Sequence, residues 1–188
     1  MNIELKILNK KFYSQEANGM LLNPLPHYAT TGSAAVDLVC TEDVTLYPGE
    51  TKMIPTGLAV HIGSHDDKLM KAYRQYWNYV GLILPRSGLG TKGLLLANTI
   101  GVIDADYQGE LMVSAWNRNN EYKTVDRYSN EGQWQEIEWN TDDKIELKAG
   151  SRFAQLMFVP VVQAQFKVVE EFSTETERGQ GSFGSTGG

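Results

Sequence analysis

The glycine spacing of residues 85–109, PRSGLGTKGLLLANTIGVIDADYQG, limits what this chain can fold into. Gly93 and Gly101 close off an apolar run that is too short for an ordinary helix. Gly88, Gly90 and Gly93 match the spacing of the dinucleotide fingerprint, but that motif needs a helix straight after its third glycine. None fits here. No Gly-Lys-Ser/Thr follows a glycine at the spacing of a phosphate-binding loop either. Both glycine motifs are therefore set aside, and the stretch reads as short strands joined by turns.

The same pattern recurs along the chain. Residues 3–8 alternate as a half-buried strand. Pro48-Gly49 and Pro55 punctuate a strand with its turn over 44–50 and another strand over 53–62. Residues 79–84, 110–116, 152–159 and 160–170 read as further strands, and Ala149-Gly150 as a turn. Residues 122–139 read as a hairpin turning near Asn130-Glu131-Gly132. One helix is expected, over 64–77: Ser64 and Asp67 have capping-box spacing, and Leu69, Met70, Tyr73, Tyr76 and Trp77 share a face. The fold class is all-β with one short helix.

Composition sets bounds. At 188 residues and 41% hydrophobic, the chain suits one domain with a real core. The single cysteine, Cys40, excludes an internal disulfide and points to the reducing cytoplasm. A net charge of −6 argues against direct binding to nucleic acid. The N-terminus has no secretory apolar region, and no run reaches membrane length. His61 and His65 are four apart, but Gly63 intervenes and no third ligand follows, so zinc is rejected.

Three features carry candidate chemistry. Asp37, between Val36 and Leu38, reads equally as a solvated strand-edge carboxylate or as one held near a metal-bound water. Asp104 follows the apolar Gly-Val-Ile and precedes Asp106-Tyr107, which makes it the better-held carboxylate of that turn, able to accept a proton from water. Asn98 reads as buried. The Gly/Ser-rich end from Arg178 reads as a linker, except that its Arg and its single Phe183 suit an anion and a base.

Taken together and in order, these segments resemble the five motifs of the trimeric deoxyuridine triphosphatase family. The motifs are AAVDL from Ala34, PRSGLG from Pro85, the stretch from Asn98 through GVIDADYQG to Gly109, RFAQL from Arg152, and RGQGSFGST from Arg178. The likeness spans nearly the whole chain except residues 66–77 and about 119–144, which look like insertions. It implies a jelly-roll-like β-barrel over residues 1–172 and a flexible arm, 173–188, that closes over a site. It also implies a homotrimer with sites shared among subunits, and hydrolysis of dUTP to dUMP and pyrophosphate with Mg²⁺.

By the same resemblance, Asp104 holds and deprotonates the attacking water, and Asp37 positions a water of the magnesium shell. Asn98 with the hairpin backbone at Val102, Ile103 and Met112 reads the uracil edge. Tyr107 lies under the deoxyribose. Arg86, Ser87 and Gly88 hold phosphates, Gln155 helps from a neighbour, and Arg152 organises the site. Arg178, Phe183, Ser185 and Thr186 form the closing arm. Two positions depart from the pattern, with Ala35 and Ser182 standing where the family has glycine. If either position needs positive φ, the arm closes more slowly or weakly. The rivals are a dCTP deaminase, whose residues are not recognised here, and a regulatory protein of the same fold that binds a protein partner through the insertions.

Overall fold

The structure, a computed structural model, describes residues 2–14, 23–63 and 77–181. Among these run β1 (Glu4–Ile7), β2 (Val36–Val39), β3 (Val44–Leu46), β4 (Thr51–His61), β5 (Trp77–Pro85), α1 (Ser87–Gly90), β6 (Leu94–Leu96) and β7 (Gly101–Ile103). The order continues with β8 (Glu110–Asn117), β9 (Tyr122–Ser129), β10 (Gly132–Trp139), β11 (Ile145–Leu147) and β12 (Arg152–Val162). Two four-stranded antiparallel sheets, ordered β1-β4-β8-β6 and β2-β12-β5-β7, are accompanied by the separate pairs β3–β11 and β9–β10. The architecture is jelly-roll-like, as expected, but the sheets are not hydrogen-bonded into one closed barrel.

Strand alternation explains the core. Along β8, Leu111, Val113 and Ala115 are buried while Met112 and Trp116 face out. They join Leu38, Leu46, Ile54, Ile83, Leu96, Phe153 and Leu156 in one cluster drawn from both large sheets. Fully burying each large aliphatic or Phe side chain contributes about 1.5–3 kcal/mol. A second, smaller cluster holds Tyr13, Val39 and Leu58, with Leu25 against it.

Several strand expectations stand. The hairpin β9–β10 turns where expected, and Gly132 takes the positive φ its turn requires. Its base is pinned by buried Asn117, which donates to the Leu46 and Asp143 carbonyls, and by Asn140, which donates to Asn120 O and Asp143 Oδ2. The separate strand over 160–170 is a correction. β12 runs unbroken through Pro160 to Val162, and 163–169 carry no strand. β2 pairs only as far as Leu156, so at Pro160 the strand has β5 as its single neighbour, a position that tolerates proline. The helix expected over 64–77 lies outside the described residues, apart from Trp77, which opens β5.

Candidate functional site

Antiparallel pairing of β2, β12 and β5 sets Gln155 opposite Asp37 on one side and Leu84 on the other. A polar cluster gathers at this end of the sheet. Arg86 Nε lies 2.8 Å from Asp37 Oδ1, and Arg152 Nη1 lies 3.3 Å from Oδ2. Arg86 Nη1 also donates to the Arg152 carbonyl at 3.0 Å, and Gln155 donates to Pro85 O at 3.0 Å. Asp37 is thus not simply solvated: it bridges two guanidinium groups and is 31% exposed. One carboxylate between two arginines leaves a net positive patch on an acidic protein, with spare donors for an anion. Past Arg86 the chain turns into α1, where Leu89 and Gly90 both donate to the Arg86 carbonyl and Ser87 and Gly88 stay exposed.

A second group lies around β7, which pairs with β5 through Gly81 opposite Ile103 and Ile83 opposite Gly101. Asn98, Val102, Tyr107 and Met112 are exposed here, and Ile103 is half-buried. The reading of Asn98 as buried is corrected: it sits in an exposed turn, its carbonyl accepting from Thr99 Oγ1 at 2.6 Å and Ile100 N at 2.7 Å. Tyr107 N donates to the Asp104 carbonyl, and its hydroxyl donates to Glu110 O at 2.9 Å. Gly109 must be glycine for this packing, because a Cβ there would collide with the Tyr107 ring. The Asp104 carboxylate is exposed and makes no hydrogen bond or ion pair among the described residues. With Ala105, Asp106, His61 and Gly63 it lines an open cavity of about 670 Å³. Gly63 N donates to Ala105 O at 2.9 Å, tying the end of β4 to this loop.

Asp104 and Arg86 stand apart within one chain. Asp104 follows Ile103 and so flanks Val80, whereas Arg86 directly follows β5, six residues on; at about 3.3 Å per residue the separation is about 20 Å.

Ala35 is not in the left-handed region, so the expected strain there is absent. Thr99, with φ of 62°, is the one non-glycine residue in that region among those described. It directly follows Asn98, where a held backbone suits a recognition turn. Neighbouring Asn-Thr alone does not signal this. Arg178 is described and exposed. Phe183, Ser185, Thr186 and Ser182 lie outside the described residues. No cluster of three His, Cys, Asp or Glu suited to a metal is found among the described residues. Asp37 as a lone carboxylate fits a hard cation that keeps its waters and takes its other ligands from phosphate oxygens.

Comparison with known proteins bears on nearly the whole chain. A family model described as dUTPase matches residues 23–129 and 136–187. The gap between the two matched spans falls at the tip of the β9–β10 hairpin. The deoxyuridine 5'-triphosphate nucleotidohydrolase of Burkholderia cenocepacia is 45% identical over 190 residues, covering 100% of this chain and 99% of the relative. That of Shewanella loihica is 46% identical, covering 98% and 96%. Among solved structures, the dUTPase of Staphylococcus bacteriophage 80alpha with dUPNHPP superposes with a TM-score of 0.71 at 26% identity, covering 99% of this chain and 98% of the other. A variant dUTPase of phage phi11 of S. aureus, described as coordinating a structural Mg(II) ion, gives a TM-score of 0.64 at 26% identity over 93% and 100%.

Proposed function

The chain belongs to the dUTPase family and is a dUTP diphosphatase, and we propose that its two half-sites join across copies of a homotrimer to hydrolyse dUTP at the α-phosphorus. The observation that carries this reading is the separation of Asp104 from the Asp37–Arg86–Arg152–Gln155 cluster along β5. A second supports the assembly: Phe166, Val168 and Phe172 are 95%, 97% and 91% exposed in a single chain, a set of side chains that a neighbouring copy would cover.

In this reading Asp104 orients a water and takes its proton, a role that suits an exposed carboxylate with no competing partner. Arg86, with the exposed backbone at Ser87 and Gly88, holds the phosphate chain in line, and Gln155 assists from the same end of the sheet. Magnesium, when bound, neutralises triphosphate charge. Asp37 supplies the carboxylate that orders its water shell, itself fixed by the two arginines. Asn98 and the backbone at Val102, Ile103 and Met112 read the base edge, and Tyr107 packs under the sugar. A methyl group is weakly discriminated by lost apolar contact alone, about 1–3 kcal/mol. Rejection of dTTP therefore rests on a steric clash with this backbone. The arm, residues 173–188, closes by Arg178, Phe183, Ser185 and Thr186 and excludes water.

The test is pyrophosphate release with Mg²⁺ from dUTP, dTTP, dCTP and UTP, with Asp104→Asn in parallel. Release from dUTP alone, lost in the variant, is expected; release that survives the substitution removes Asp104 from its role. A second reading, that the chain also binds a protein through its insertions, draws on the β9–β10 face, where Tyr128, Ile137 and Trp139 are exposed. It requires that Ile137→Ser and Trp139→Ala leave dUTP turnover unchanged, and a loss of turnover would contradict it.

A further inference from the structure

The pairing of β4 with β8 is interrupted. Pro55 lies opposite Met112, and the next pair is Ala59 with Glu110, so Thr56, Gly57 and Leu58 stand against Leu111 alone. Extra residues on one strand leave backbone groups that the ladder cannot pair. Side chains take the place of the missing strand. The hydroxyl of Thr56, fully buried, donates to Leu111 O at 2.8 Å. Gly57 N donates to Glu110 Oε1, also at 2.8 Å. The bulge is held from its other side as well. Gly57 O accepts from Leu8 N at 2.8 Å and from Asn9 N at 3.1 Å, and the Tyr13 hydroxyl donates to Thr56 O at 2.9 Å. Gly57 is thus a fixed point, and the Glu110 side chain is tied to it.

Glu110 also opens β8, directly after the turn from Tyr107 to Gly109. Its main-chain carbonyl accepts the Tyr107 hydroxyl at 2.9 Å, and Tyr107 N donates to the Asp104 carbonyl at 3.1 Å. Glu110 therefore acts in two directions. Its side chain reaches the bulge of β4, and its backbone sets where the Tyr107 ring stands. Tyr107 is 41% exposed, so packing alone does not fix that ring. Without the Glu110 side chain, Gly57 N loses this acceptor and the backbone of residue 110 is freer to shift, carrying the tyrosine with it.

We propose that Glu110 is a positioning residue that sets the choice between deoxyribose and ribose by holding Tyr107 in place. Its side chain acts through the tyrosine and the β4 bulge, without a contact of its own to the nucleotide. The inference rests on Tyr107 lying under the deoxyribose, as proposed above. A ring beneath the sugar rejects a 2′-hydroxyl only if it cannot yield, and a misplacement of about 1 Å at a positioning group costs up to about 100-fold.

The test is steady-state pyrophosphate release from dUTP and from UTP with Mg²⁺, by wild type, Glu110→Ala, Glu110→Gln, Glu110→Asp and Tyr107→Ala, with thermal unfolding of each. Glu110→Ala is expected to lower the dUTP-to-UTP ratio of kcat/KM about tenfold. The change should come through a higher KM for dUTP and a gain on UTP, with kcat for dUTP little changed. Glu110→Gln keeps an oxygen for Gly57 N and should keep the wild-type ratio. Glu110→Asp is one methylene shorter and should lower the ratio too; it carries the test if the alanine variant does not fold. A ratio unchanged in both shortened variants overturns the proposal, as does a ratio lost equally in Glu110→Gln. A lower Tm with both nucleotides slowed alike makes Glu110 a residue of the fold only, and overturns it as well. A ratio kept even in Tyr107→Ala overturns the placement of Tyr107 under the sugar. A ratio lost there but kept in Glu110→Ala and Glu110→Asp overturns this inference alone.

Discussion

Asp37→Asn separates the ion pairs that Asp37 makes from the metal-binding role proposed for it. Asp37 holds Arg86 at 2.8 Å and Arg152 at 3.3 Å, with its own side chain and that of Arg86 each 31% exposed. Ion pairs this open to water are screened, so losing both is worth about 1–2 kcal/mol. For a domain of this size that is about 2–8 °C in Tm. Asparagine keeps an oxygen that Arg86 can still donate to, which places the loss toward the lower end. The effect on turnover is expected to be larger in proportion. Removing a charged group that orders a metal's water shell costs about 10–100-fold in metal affinity or activity. The assay is pyrophosphate release from dUTP across a Mg²⁺ titration, with Tm measured on the same samples. The half-saturating Mg²⁺ concentration should rise about tenfold or more while the protein stays folded. A lowered Tm with an unchanged Mg²⁺ dependence would refute the argument, leaving Asp37 as a strand-edge ion pair and no more.

Other outcomes follow from the same geometry. Gly109→Ala should push the Tyr107 ring off its contact with Glu110 O, raise KM for dUTP about tenfold and weaken discrimination against UTP, because small misplacements of positioning groups are expensive; steady-state kinetics with both nucleotides checks it. Asn117→Ala should remove three hydrogen bonds in a fully buried setting and lower stability by about 3 kcal/mol, read by urea unfolding; a loss under about 0.5 kcal/mol would contradict the hairpin anchor. The Tyr13 hydroxyl, buried and donating to Thr56 O, is pushed up to about 12, by burial first and by Cys40 second. Its folded value exceeds its unfolded one, so its contribution is complete below about pH 10 and is lost as pH rises toward 12. Tyr13→Phe should flatten that part of the alkaline limb in a Tm-versus-pH series.

The fold was legible in the sequence wherever local chemistry decides it. Alternation marked β1, and turn chemistry marked the bounds of β4, the β9–β10 hairpin and the bend at Gly150. Pro160 misled because proline reads as a boundary, whereas tertiary context gave β12 a stretch with one neighbour. The site residues were legible as motifs but not as two groups. Nothing local says that Asp104 and Arg86 stand at different points along β5, since that depends on the β5–β7 register. Asn98 looked buried because Leu94 to Leu96 before it are apolar, yet the chain leaves the sheet after Leu96 and turns at Thr99. The Asp37 bridge to two arginines required β2, β12 and β5 to be set side by side, and the residues involved are 49 to 115 positions apart in the chain.

The measurement that bears most directly on the shared site is complementation between two inactive variants. Asp104→Asn and Arg86→Ala are each prepared alone, then unfolded together at equal amounts and refolded so that their copies assort. If Asp104 of one copy works with Arg86 of another, some sites regain both native residues, and dUTP hydrolysis returns to about a quarter of wild type by random assortment. If both residues serve a site within one chain, every site in the mixture lacks one of them. Activity would then stay at the level of the separate variants, and the account of two half-sites joined across copies would fail.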